Sequence, residues 1–150
     1  MTRTVEPANV STPETAVRLR LDQHPSRSTV LDGAWWPRST DLAAELPALV
    51  SALGGLRGQI THVLLNVTEW DLPHHRRAAM DSRPVRLGWH TAQPAGLLTV
   101  ITEFGRDRFD LLVVPPEASR ESAGDALSAA SDGTDTRHAP ELLAGIAYEK

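Results

Sequence analysis

The sequence contains no cysteine. That excludes disulfides, thiolate zinc sites, iron–sulfur clusters and cysteine nucleophiles together, and it makes the fold indifferent to redox compartment. Lysine is nearly missing as well: Lys150 is the single lysine among 15 basic residues, the rest being arginine. With abundant alanine, proline and aspartate, this reads as high-GC coding bias rather than as a functional trait. There is no basic excess either. The net charge is −4 and it is localised, because residues 117–150 hold seven acids against three bases. A non-specific phosphate binder shows a basic surplus, so nucleic acid is not an expected partner. No apolar run approaches the roughly 18 residues of a membrane span, and Met1 to Ser11 has no apolar segment of a secretory signal. The cytoplasm is the expected setting, with no membrane partner.

Signatures of chemistry are also few. There is no G-x-S-x-G elbow and no HxH or HExxH spacing. Gly54-Gly55-Leu56-Arg57-Gly58 follows a helical pattern instead of linking a strand to a helix, so it reads as a helix stop and not as a phosphate loop. His74 and His75 are adjacent, which puts them on different faces, and Arg76 and Arg77 beside them disfavour a divalent cation. Glu69 and Asp71, two apart, read as loop solvation before acid–base chemistry. Neither a metal, a cofactor nor a catalytic residue is expected.

What is present fits one domain of 150 residues. A polar arm over residues 1–15 is expected to be disordered, ahead of one α+β domain over 16–148. Val17, Leu19 and Leu21 alternate with Arg18 and Arg20 as in a half-buried strand, and Thr29–Leu31 is its expected hairpin partner. Gly33 and Pro37 argue against regular structure from 32 to 39. Ser39 or Thr40 then caps a helix whose Leu42, Leu46, Leu49, Val50 and Leu53 share one face, with Pro47 inside it and Gly54-Gly55 ending it. Strands are expected at 60–67, 85–90, 97–102 and 109–114, then helices over 117–130 and from Pro140. Four central strands without intervening helices point to antiparallel pairing. The expected fold class is α+β: a mainly antiparallel sheet of about five to six strands, with two to three helices on one face. A mobile loop is expected at 131–138.

Four tryptophans lie among charges. Trp35 and Trp36 stand between Asp32 and Arg38, Trp70 stands between Glu69 and Asp71, and Trp89 is near Arg86 and His90. One reading is a pocket in which indoles supply flat walls and Arg38 or Arg86 holds an anionic or planar ligand. The other is that the indoles anchor core and loops while the arginines stack on them or pair with Asp32 and Asp71. The candidate ligand-binding set is Asp32, Trp35, Trp36, Arg38, Asn66, Trp70, Asp71 and Arg86, expected to converge at one end of the sheet. Arg18, Arg20, His62, Asn66, Arg86 and His90 alternate against core positions and would form one basic face opposite the helices. That face is either solvated or a surface for an anionic ligand, a protein partner or a second subunit.

The stretch Leu31-Asp32-Gly33-Ala34-Trp35-Trp36-Pro37-Arg38-Ser39 is followed by Asp41 to Leu53, Leu65-Asn66-Val67 with Trp70-Asp71, Val85-Arg86-Leu87-Gly88-Trp89, and Asp110 to Pro116. In these residues the chain resembles an uncharacterised actinobacterial family, domain of unknown function 5994, over about residues 17–145. The resemblance implies a bacterial cytoplasmic setting and one domain along the chain; it brings no activity, cofactor or catalytic residue. The residues themselves favour a non-enzymatic binding or interaction module built on the arginine–tryptophan loops. The alternatives are a small enzyme acting on an anionic metabolite, with Asp32 or Asp71 as base and Arg38 or Arg86 as clamp, and a homodimeric scaffold using the open sheet face.

Overall fold

The computed structural model describes residues 17–22, 31–57, 59–80, 83–102, 108–132 and 137–147. The arm over 1–15 and residues 29–30 of the expected hairpin partner lie outside the described residues, as do residues 133–136 of the 131–138 loop. Seven strands form one sheet: β1 (Leu19–Leu21), β2 (Gly33–Trp35), β3 (Ile60–Asn66), β4 (Arg77–Met80), β5 (Arg83–His90), β6 (Leu97–Thr102) and β7 (Arg108–Val113). The helices are α1 (Leu42–Arg57), α2 (Arg120–Ala130) and α3 (Ala139–Ala144). The strand order is β1-β2-β7-β6-β3-β5-β4.

The sheet is mixed and has seven strands, so the expectation of mainly antiparallel pairing in five to six strands is met only in part: four of the six described pairings are antiparallel. β2 pairs parallel with β7, and β3 pairs parallel with β5; the other neighbours are antiparallel. No crossover helix separates β3 from β5. The chain reaches the same result by two reversals: it leaves β3, runs down the outer edge as β4, and turns back as β5 into the gap between them. The unforeseen strand Arg77–Met80 is therefore what makes β3 and β5 parallel. The second correction is at β2, where regular structure was not expected. Gly33 belongs there because a Cβ would run into the Arg20 carbonyl and Leu21 of β1, so glycine allows the two backbones to close up.

Helices cover both faces, not one. On one face α1 buries Leu42, Leu46, Leu49 and Leu53 against Val63, Leu65, Leu87, Val100, Leu111 and their neighbours. Full burial of such a leucine contributes about 2 kcal/mol, which outweighs the poor helix propensity of Gly54 and Gly55 at about 1 kcal/mol each. The helix accordingly runs through them to Arg57 instead of stopping. α1 starts at Leu42, one residue later than a Thr40 cap would give. Glu45 in its first turn organises the approach, accepting from the Arg38 N–H at 3.0 Å and the Ser39 hydroxyl at 2.8 Å.

On the opposite face α2 and α3 pack Ala123, Ala126, Ala130, Ala139 and Leu142 against Ala34, Leu112 and Val114. Leu111 and Leu112 enter different cores, as the two-residue period of a strand requires. The small alanine face lets α2 lie close over the β1–β2–β7 half of the sheet. Ser119 caps α2 by accepting from the Ser122 N–H at 3.2 Å. α3 reaches the start of β6 at Leu97, and the rest of that face, across β3, β5 and β4, carries no helix among the described residues.

Candidate functional site

The tryptophan cluster divides. Trp35 and Trp70 do meet: their rings stack at 5.7 Å and 21°, and both are buried, at 2% and 6% exposure. They are core, on the α1 side. Trp36, the next residue, points to the other face. Its Nε1–H donates to the Pro115 carbonyl at 3.0 Å, and the Arg18 guanidinium lies 3.7 Å over its ring. Arg18 also donates to the carbonyls of Trp36 and Pro37. Burial, and then the nearby Arg38 charge, lower the Arg18 pKa, while Glu45 acts in the opposite sense. The indole–arginine pairing in this loop is thus satisfied internally.

Asp32 and Asn66 belong to a polar lattice that fixes strand ends. Asp32 exchanges main-chain contact with Asp110, whose N–H donates to Asp32 Oδ2 at 2.9 Å. Asn66, 7% exposed, donates to the Gln93 carbonyl at 2.6 Å and accepts from the Thr68 N–H at 2.8 Å. Gln93 reaches Thr99, and Thr99 donates to Asp110 Oδ1 at 2.7 Å. Beside this lattice Glu69 Oε2 accepts from the Gly96 N–H at 2.6 Å, while Oε1 is buried without a hydrogen-bond partner. Burial raises the Glu69 pKa, and the Gly96 N–H partly opposes the rise.

Of the candidate set, Asp71 and Arg86 line cavities among the described residues. Asp71 is clasped to Thr40: its N–H donates to the Thr40 carbonyl at 2.9 Å and Oδ1 accepts from the Thr40 hydroxyl at 2.8 Å. It borders a cleft of about 210 Å³ between the first half of α1 and segment 71–78. Leu42, Leu46 and Leu87 give the cleft apolar walls, Asp41 and Asp71 its acidic residues, and His75 and Arg77 its basic ones. Leu72, 80% exposed, stands beside it at a cis bond to Pro73.

Arg77, Leu87 and Trp89 are shared with an open depression of about 430 Å³, completed by Arg76 and Arg86. Local structure sets this grouping. Trp89 is clamped: its Nε1–H donates to the His75 carbonyl at 2.7 Å, and the His74 ring stacks on it at 4.0 Å and 12°. His74 is held in turn, its Nε2–H donating to the Trp70 carbonyl at 3.1 Å. Arg77 stands directly opposite Arg86 on neighbouring strands, and His62 flanks Arg86 on the other side. Like charges directly opposite destabilise a sheet. Among the described residues, none of Arg76, Arg77 and Arg86 forms an ion pair or side-chain hydrogen bond.

The expected basic face is present in part. His62, Asn66, Arg86 and His90 share the side away from α1, as their registers require. Arg18 and Arg20 face the same way but lie under the second helix layer, Arg20 donating to Ser128 of α2 at 2.8 Å. Arg76 and Arg77, which line the depression, were not among the sequence candidates; Trp89 entered the pocket reading beside Arg86 but not the candidate set. The Arg76-Arg77 pair was in view, but nothing in its neighbourhood signalled the strand that sets it against Arg86.

Among the described residues no group of three histidine, aspartate or glutamate side chains is arranged to hold a metal ion, and no helix is long and apolar enough to cross a membrane. No curated protein and no solved structure matches the chain significantly. The family of unknown function DUF5994 matches over residues 18–130, most of the chain, and the protein belongs to that family.

Proposed function

We propose that this domain is a non-enzymatic binding module that grips an anionic group at the β4–β5 corner, with Arg76, Arg77 and Arg86 as the clamp and Trp89 as its wall. The supporting observation is that three arginines line one depression without an acid to pair them among the described residues. Arginine offers planar, forked donors suited to carboxylates and phosphates. The depression, at about 430 Å³, lies in the range of small-ligand sites. The adjoining cleft adds apolar wall, so the ligand joins an anionic head to a flat or aliphatic body. Asp41 and Asp71 in the cleft orient it, since they repel the head toward the arginines.

Of the earlier candidates, Asp71 and Arg86 stay in this reading. Trp35, Trp36, Trp70, Asp32 and Asn66 support the scaffold, and Arg38 belongs to the α1 approach. The test is calorimetric titration with 3-phenylpropionate and phenyl phosphate. Binding is expected, and Arg86→Ala should weaken it about tenfold, or ~1.4 kcal/mol. Absence of binding, or equal binding by the variant, would remove the proposal.

A further inference from the structure

The β4 edge has a feature that a small anion does not use. The Leu87 N–H donates to the Arg76 carbonyl at 2.7 Å, which makes Arg76–Leu87 a hydrogen-bonded pair of the antiparallel ladder. Such pairs alternate. Continuing the register, Ala78–Val85 and Met80–Arg83 are hydrogen-bonded pairs, whereas Arg77–Arg86 and Ala79–Pro84 are not. Pro84 fits this assignment, having no N–H to give. The main-chain N–H and C=O of Arg77 and Ala79 therefore point outward, at the end of the strand order, where no described strand meets them. On one face of that edge lies the apolar cleft beside Ala78 and Leu87; Arg77, whose position borders the cleft, stands directly opposite Arg86, and the two-residue strand period turns this pair toward the other face.

We infer that β4 accepts an extended acidic peptide as an added strand. The inference rests on the anion-binding reading above and names the partner. Successive residues of a strand point to opposite faces, so the peptide alternates: an aspartate or glutamate toward Arg77 and Arg86, an apolar side chain into the cleft. Charge selects the partner. Edge arginines repel another basic edge, including β4 of a second copy, which is a common way of blunting an edge, but they attract a carboxylate. A nucleic-acid strand offers phosphates but no main-chain amides to complete the edge.

The experiment uses the full chain and a fluorescently labelled peptide of about six residues, alternating Glu and Leu, the length of a typical short strand. Anisotropy should report binding. Ala79→Pro removes an outward N–H and leaves the β4–β5 ladder intact, a place where an edge strand tolerates proline. It should weaken the peptide about tenfold or more and leave 3-phenylpropionate binding unchanged, whereas Arg86→Ala weakens both. In the unsubstituted protein, amide exchange at Arg77 and Ala79 should slow when peptide binds. Peptide binding indifferent to Ala79→Pro, unchanged exchange at both amides, or equal binding of a short oligothymidylate would overturn strand addition while leaving the anion clamp standing. No binding of either peptide or phenylpropionate would overturn both.

Discussion

Truncating Trp70 removes a buried indole together with its stack on Trp35. Trp70→Ala is expected to cost about 3–5 kcal/mol in urea denaturation, the usual range for a large aromatic in a core. Arg86→Ala should shift stability by less than about 0.5 kcal/mol, or raise it, because Arg86 faces Arg77 across the strands. The contrast separates scaffold from clamp among residues that the sequence groups together. Glu69 supplies a pH signature. Burial raises its pKa from 4.5 in the folded chain, so the native state binds this proton more tightly than the unfolded chain. The sign follows: as pH falls through the raised value, the Glu69 contribution to stability increases, and it levels off below the unfolded value. Comparing denaturation across that window with Glu69→Gln should show the rise in the parent and its loss in the variant.

At the scale of elements, α1 carries Pro47 in its interior, exposed and bordering the cleft. A proline there has no N–H for the Ala43 carbonyl. Pro47→Ala is expected to raise stability by about 1–3 kcal/mol, read as a higher urea midpoint; a lower midpoint would mean that the ring is needed in the packing. The leucine face of this helix was legible because its period is local: Leu42, Leu46, Leu49 and Leu53 need only each other to be recognised, and all four are buried. The strands at 60–66, 97–102 and 108–113 were legible by their apolar runs. Pairing was not, because it depends on which edge stays open. Arg77-Ala78-Ala79-Met80 has neither β-branching nor a bulky period to mark a strand, and once that edge strand is missed β3 and β5 look antiparallel. The same omission hid the proposed site, since Arg77 gains meaning only when β4 sets it opposite Arg86, with Arg76 just before it. β2 was hidden for a related reason: Gly33 and Pro37 signal a loop locally, and the close backbone of β1 overrides that signal.

Across the whole molecule, charge is segregated although the net charge is only −4. The acidic segment 117–150 includes the exposed Glu121 and Asp125 of α2, which packs over β1, β2 and β7. The arginine corner lies at the far edge of the same sheet, at β4 and β5. On the proposed reading an approaching anion is drawn to the arginine corner, a steering effect that should weaken as salt shortens the screening length. The measurement that bears most directly on this account is a nitrogen–proton NMR titration of the intact chain with 3-phenylpropionate, following the arginine Nε–H and tryptophan indole signals. The account predicts that the side-chain signals of Arg76, Arg77, Arg86 and Trp89 move together and saturate, while those of Trp35, Trp36 and Trp70 stay in place. Shifts centred on Trp36 and Arg38, or no saturable shift at the β4–β5 corner, would contradict it.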